Sequence, residues 1–286
     1  MSAHEKELHP DEKVKAKKLA SKIFKGAIPI GVVALIIAAV IGIAKGDHMH
    51  RFYFSYLTAL AFCLSISVGA LFFVIIQPLV RAYWSVTVRR IAEILTSAFP
   101  LLGVLTLVIL APMLMGGEGP YHWADEALHD HNNPKFDSIV YGKSAWLNTP
   151  FFVARIVIYF VIYSLMARYF FKKSVEQDET GDASITDHLR AVSGPSVLVF
   201  ALVTCFAAFD LLMSLSPHWF STIFGVYYFA GSAVAIFASL VLIGVFLQRK
   251  GRLVHSITIE HYHDVGKFLF AFVFFWSYIA FSQFML

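Results

Sequence analysis

Residues 196–231 read SVLVFALVTCFAAFDLLMSLSPHWFSTIFGVYYFAG, two apolar runs joined by the short polar turn SLSPHW. The first run can cross about 30 Å of hydrocarbon at about 1.5 Å per residue. Yet it carries Asp210 near its end, and His218 sits in the turn. A helical hairpin within a membrane accounts for the two runs. The carboxylate asks for an explanation of its own, because charge at membrane depth is expensive and usually paired or placed on a polar path.

The rest of the chain extends the hairpin into a larger membrane body. Hydrophobic residues make up 58% of the 286 and charged residues 15%, where soluble domains run at roughly 25% charged. Mean hydropathy is +0.68, and the 28 phenylalanines exceed what one water-surrounded core of this length would hold. Seven runs are long enough to span: 28–44, 56–76, 91–114, 150–171, 196–215, 221–247 and 267–286. All are expected to be helical, since backbone polar groups in lipid need partners within their own segment or a closed barrel. The fold class is therefore all-α, a polytopic membrane helix bundle over 27–286 with a separate tail, 1–26. Membrane lipid is its first partner, and no nucleic-acid partner is expected.

Lysine and arginine counts orient the spans. The tail carries seven, and the loops over 81–90, 168–190 and 249–267 carry three, four and four. The other side has Lys45, Arg51, Lys135 and Lys143. The amino terminus is thus expected in the cytoplasm of a bacterial inner membrane. The tail, polar and lysine-rich with no small-residue cleavage pattern, reads as a solvated positive anchor. Val14, Leu19, Ile23 and Phe24 among its lysines leave a second reading open, an interfacial amphipathic helix. The longest polar insertion is the external loop 116–148, acidic and histidine-bearing, of a length usually given to function or partner binding. The last run ends at Leu286 still apolar, and further helices are expected to follow it in the intact gene product.

Ligand counts bear on redox chemistry. The two cysteines, Cys63 and Cys205, both lie in spans, and no C-x-x-C-H or four-cysteine set exists for covalent haem or an iron–sulfur cluster. All 12 histidines fall in loops or at segment ends rather than at helix centres where haem b would sit. No cofactor is expected in this chain. The His129/His131 and His261/His263 spacings suit a strand rather than one helical face, and without a complete ligand set they read as surface histidines, with no metal expected.

Ionisable groups within the spans carry more information. Arg155 lies five residues into the fourth run, roughly 7–8 Å below the external surface by the helical rise. Asp210 lies at nearly the same depth in the next, antiparallel run, so the two are expected to pair. Two readings of the pair stay open: a structural lock on helix rotation, or a protonatable site near a quinone pocket or along a proton exit path. His218 is either a relay between that depth and water or a turn residue capping the sixth helix. On the cytoplasmic side, Glu260, His261, His263, Asp264 and Lys267 cluster in IEHYHDVGK. Acidic groups at a helix start are explained by its dipole; a proton antenna, joined by Glu93, is the sharper alternative.

Three stretches together resemble a known family: FDLLMSLSPHWFSTIFGVYYFAG (209–231), WLNTPFFVAR (146–155) and ITIEHYHDVGKFLFAFVFFWSYIAFSQFML (257–286). They are similar to the NrfD-like membrane subunits of bacterial alternative complex III, a quinol-oxidising assembly that passes electrons to cytochrome c or directly to a terminal oxidase. The likeness runs from about Phe52 to Leu286 and is nearer the ActF type, with smaller loops, than the ActC type. It implies two four-helix bundles, around ten helices, and no cofactor in the chain. It also implies a sister NrfD-like subunit and iron–sulfur and cytochrome c subunits, which would meet the external loop 116–148. Arg155, Asp210 and His218 match the family's intramembrane motifs, and His261, His263 and Asp264 its cytoplasmic one. The resemblance makes quinone or quinol the candidate ligand, with the sister subunit the better site of quinol oxidation and this chain serving proton conduction or assembly. A proton-conducting or transport protein and a purely structural anchor are the competing functions.

Overall fold

The computed structural model describes residues 12–13, 16–44, 49–116 and 119–285. Val14, Lys45 and Leu286, among the positions read above, lie outside that set. The helices are α1 (Lys17–Ala44), α2 (His50–Leu79), α3 (Val86–Thr96), α4 (Phe99–Leu114), α5 (Ser138–Gly142), α6 (Thr149–Thr180), α7 (Ser184–Leu211), α8 (Phe224–Arg249) and α9 (Ile259–Met285). Among the described residues seven helical segments are long and apolar enough to cross a membrane, with α3 and α4 sharing one and α5 belonging to the loop. The molecule is an all-α, multi-pass membrane bundle.

Two helices run well past their apolar cores. α6 continues from the run ending at Phe171 to Thr180, and α7 starts twelve residues before the run at Ser196. Their polar ends form a hairpin that stands off the apolar layer. Gly181 closes α6 with φ 67°, its N–H bonding Gln177 O at 2.9 Å, a left-handed position that disfavours any residue with a Cβ. Asp182 then accepts from Ser184 N at 2.8 Å and starts α7. At the other end Asn148 caps α6 by accepting from Phe151 N at 3.0 Å, with Pro150 in the first turn.

The third span, read above as one run, is broken at Ser97–Ala98. Pro100 has no N–H to continue the ladder and its ring crowds the carbonyl four residues back. Around the break the chain tightens to i→i+3 bonds, Ser97 N to Ile94 O at 3.1 Å and Ala98 N to Leu95 O at 3.4 Å. Hydroxyls add to the carbonyls of the last turn: Thr96 Oγ1 donates to Glu93 O at 2.7 Å, Ser97 Oγ to Ile94 O at 2.6 Å and Ser67 Oγ to Leu95 O at 3.2 Å. Such repairs are what a non-helical turn at membrane depth requires.

α2, α3/α4, α6 and α7 surround one core, with α8 packed along α2 and α7 and α9 along α8. α2 is the hub. It meets α8 so closely at Gly69 that a Cβ there would lie 2.1 Å from Ser232 O, the close backbone approach that small residues permit between membrane helices. The phenylalanines pack in aromatic layers: Phe237 stacks on Phe268 and Phe272, both at 5.4 Å, and Phe72 meets Phe229 edge-on at 4.9 Å. α1 packs on α2 and otherwise turns its apolar side chains outward, as does α9. α1 is also continuous from Lys17, so Leu19, Ile23 and Phe24 belong to the spanning helix rather than to a separate helix lying along the surface.

Candidate functional site

Arg155 projects from the first turns of α6 and Asp210 from the last turn of α7, and the two side chains meet inside the bundle. Arg155 is 5% exposed and Asp210 1%. The guanidinium donates twice to the carboxylate, Nε to Oδ2 at 2.7 Å and Nη2 to Oδ1 at 2.9 Å, the bidentate geometry in which arginine binds carboxylates best. Nη1 donates to Trp146 O at 2.9 Å. Two further donors complete the carboxylate: Tyr159 Oη to Oδ2 at 2.8 Å and Trp146 Nε1 to Oδ1 at 3.0 Å. The guanidinium also lies 4.1 Å from the Trp146 ring centre and 4.3 Å from that of Phe151, so its faces are covered by π-systems. The charge that the span seemed unable to carry is thus neutralised and hydrogen-bonded on each oxygen.

Trp146 and Tyr159 were not singled out from the sequence. Tyr159 had a legible signal, standing one helical turn beyond Arg155 on the same face. Trp146 had none, since its indole comes from the loop before α6.

The loop 116–148 contributes more than a polar docking surface. Trp123 is fully buried between Tyr121 and Phe152, each ring centre within 6.0 Å. Tyr121 Oη donates to Leu211 O at 3.1 Å, tying the loop to the end of α7. Burial, and after it the Asp210 charge, pushes the Tyr121 phenol well above its ordinary pKa, so it remains a donor. Beside the ion pair a cleft of about 540 Å³ opens outward, lined by Trp146, Phe209, Asp210, Met213, Trp219 and Phe220. Its wall is mainly apolar, with four aromatic rings, Lys143 and one carboxylate, a composition common in sites for small organic ligands.

His218 turns away from Asp210. Its Nε2 lies 2.7 Å from Asp137 Oδ2 in the loop, so it fastens the α7–α8 turn to the loop. Asp137 also caps α5, accepting from Ile139 N at 2.9 Å and Val140 N at 3.2 Å. Partial burial alone would raise the Asp137 pKa, but these amides and His218 outweigh it and hold it below the ordinary value. The other loop histidines do not form a pair either. His129 Nε2 contacts Trp123 O at 2.9 Å, while His131 packs on Phe136 and Tyr141.

At the opposite end the residues read as one cluster separate into two groups. Glu93, 2% exposed, lies between Arg89 (3.1 Å) and Arg90 (2.7 Å). The Arg90 Nη1–Glu93 Oε2 contact is close but not aligned as a hydrogen bond. Arg89 also donates to Ser174 at 3.2 Å, and Arg90 binds Asp178. His261 does not join them. Thr87, its partner at 2.6 Å, is six residues from Glu93 on α3 and so projects from another face. Thr258 N donates to His261 Nδ1 at 3.1 Å, which places the ring proton on Nε2, facing Thr87. His261 thereby reaches back over the first turn of α9 much as a capping-box residue does. His263 and Glu260 are exposed, and Asp264 pairs with Lys267 at 3.1 Å.

Compared with models of known protein families the chain matches none, and no curated protein matches it.

Proposed function

We propose that this chain is the cofactor-free membrane subunit of a respiratory quinol:acceptor oxidoreductase of the alternative complex III type, set in a bacterial inner membrane with its amino terminus in the cytoplasm. Its partners are a sister NrfD-like subunit and iron–sulfur and cytochrome c subunits, with a terminal oxidase as a further electron acceptor. The observation that carries the proposal is the buried Arg155–Asp210 pair on the wall of an aromatic cleft at the external end. A flat ring fits such a wall, and Asp210 offers a carboxylate to a hydroquinone hydroxyl. Oxidation of a quinol releases two electrons, for the partner cofactors, and two protons. The position of the site supports release of those protons on the external side, with His218 and Asp137 at the water boundary. The three matching stretches supply the rest of the support, since each includes residues described above.

A second reading has an observation of its own. Both Asp210 oxygens are already saturated by Arg155, Tyr159 and Trp146, the state expected of a structural lock rather than a working base. In that case the subunit is an anchor. Purifying the native complex tests the main proposal: haem c and iron–sulfur subunits are expected to co-migrate with this chain. Asp210→Asn decides between the readings. For a working site, assembled complexes lose quinol oxidation or proton release; for a lock, assembly falls and the complexes that form turn over normally.

A further inference from the structure

At the end of the bundle that carries the amino terminus, a cleft of about 470 Å³ opens between the ends of α2, α3, α6 and α7. Arg81, Arg89 and Arg190 line it. Arg89 is held by Glu93 and Ser174, whereas the guanidiniums of Arg81 and Arg190 have no ion-pair or hydrogen-bond partner among the described residues. Two carboxylates also reach the cleft. Asp178 is neutralised by Arg90, and Asp187 stands exposed at the rim. Two uncommitted guanidiniums therefore face one rim carboxylate.

Gln77 lines the same cleft. Its side chain is 4% exposed and its Oε1 has no hydrogen-bond partner. A buried amide oxygen left unpaired is unfavourable unless a bound molecule supplies a donor. Four residues further on, Arg81 is held in a left-handed conformation, φ 55°. The mouth is flanked by outward-facing apolar side chains, Val80, Val86 and Tyr83, the last 72% exposed. Exposed tyrosine beside aliphatic side chains is what the membrane–water boundary favours, so the cleft opens at headgroup level rather than into bulk water.

We infer that this cleft is a binding site for an anionic phospholipid headgroup, with Arg81 and Arg190 holding the phosphate and Gln77 accepting a headgroup hydroxyl. Guanidinium matches phosphate oxygens in a planar fork, and basic pockets between membrane helices are established places for acidic lipids. The Gln77 oxygen favours a glycerol-bearing headgroup of the phosphatidylglycerol kind over phosphatidic acid. The acyl chains would lie along Val80, Tyr83 and Val86. A soluble phosphate shares the charge but would leave that apolar mouth unused. The inference takes only its leaflet from the orientation proposed above.

The test is lipid retention by the purified full-length chain, measured by native mass spectrometry after exchange into nanodiscs of phosphatidylglycerol, phosphatidic acid or phosphatidylcholine. Phosphatidylglycerol is expected to be retained at one copy per chain in preference to phosphatidylcholine. Arg81→Gly with Arg190→Gln should lower that preference about a hundredfold, a factor of about ten for each of two lost charge-assisted hydrogen bonds; glycine keeps the backbone conformation at 81. Should the double variant fail to fold, Gln77→Leu supplies the decision. It should erase the preference for phosphatidylglycerol over phosphatidic acid and leave phosphatidic acid retention unchanged. Equal retention of phosphatidylcholine overturns the proposal. So does protection by millimolar inorganic phosphate without any lipid preference, which would assign the cleft to a soluble anion. Retention is read without turnover, so its failure is distinct from a failure of the oxidoreductase proposal.

Discussion

Both ends of the bundle bury a carboxylate against arginine, but they do so differently. At the end where α6 begins, Asp210 and Arg155 are 1% and 5% exposed, bidentate, and completed by an indole, a phenol and a carbonyl. At the amino-terminal end Glu93 is as deeply buried, yet its two arginines come from its own helix and the Arg90 side chain remains 32% exposed. The first site joins two helices and a loop. The second stiffens one turn of α3, reaches α6 through Ser174 and Asp178, and borders a polar cleft. Equal burial of a carboxylate therefore does not mean equal structural weight: what counts is how many elements depend on it and whether water can replace a lost partner.

The largest effect should follow from removing one member of the Arg155–Asp210 pair. Arg155→Leu or Asp210→Leu leaves a buried charge without its counterion and should destabilise the protein by about 3–5 kcal/mol. The double Leu variant should be less damaged than either single one, because most of the loss comes from the stranded partner rather than from the pair itself. Thermal unfolding in nanodiscs reads all three. If each single variant is as stable as wild type, the external site is no lock, and the contrast between the ends collapses.

Glu93→Gln provides the other arm and should cost less, about 1–3 kcal/mol. The amide still occupies the space, and water and Asp178 reach Arg90. A loss as large as that of Asp210→Leu would show that the amino-terminal site carries the same weight, despite its exposed arginine. Tyr159→Phe is of similar size. It removes one hydrogen bond to a charged carboxylate at constant shape and should cost about 1.5–3 kcal/mol, less if water enters. If Tyr159→Phe instead lowers turnover of the assembled complex with stability unchanged, the phenol belongs to a proton path.

What the sequence made legible follows from the same contrast. Asp210 and Arg155 interrupt apolar runs, so the helical rise alone matched their depths, and the ion pair was within reach of counting. The seven spans were legible for the same reason. The break at Ser97–Ala98 was less so, because Pro100 lies within a run whose hydropathy does not change across the turn. Trp146 escaped because an indole in a chain with 16% aromatic residues announces nothing. The loop misled through its charges: Glu126, Asp130 and Lys135 dominate its reading, while Tyr121 and Trp123, which fold inward, are few. Glu93 and His261 were grouped because both sit at one end of the bundle. Their helical phase on and against α3 separates them, and phase relative to a second helix is a tertiary quantity.

The smallest effect concerns the rim of the Arg155–Asp210 site, where the loop is fastened by the His218–Asp137 contact at 2.7 Å and by the Asp137 cap on α5. The Asp137 carboxyl is held below its ordinary pKa in the folded protein. A depressed folded value means the ionised form is favoured by folding, so this contribution is fully present above the unfolded pKa, about 3.9, and is lost as pH falls through the lower, folded value. Acidification from pH 5 toward the folded value should therefore loosen the loop around α5 while Tyr121 and Trp123, anchored by burial, stay in place. Hydrogen exchange of the amides of Ile139 and Val140 should speed up over that window, and Asp137→Asn, which keeps a capping oxygen but cannot titrate, should show no acid transition. The effect on global unfolding should be slight, because the contact is at the surface and water replaces it. If the Asp137→Asn variant keeps an acid transition at the same amides, another carboxylate controls the rim. If the variant also releases Trp123, the rim and the buried anchor are one unit, and the boundary between locked core and adjustable edge must be drawn outside the loop.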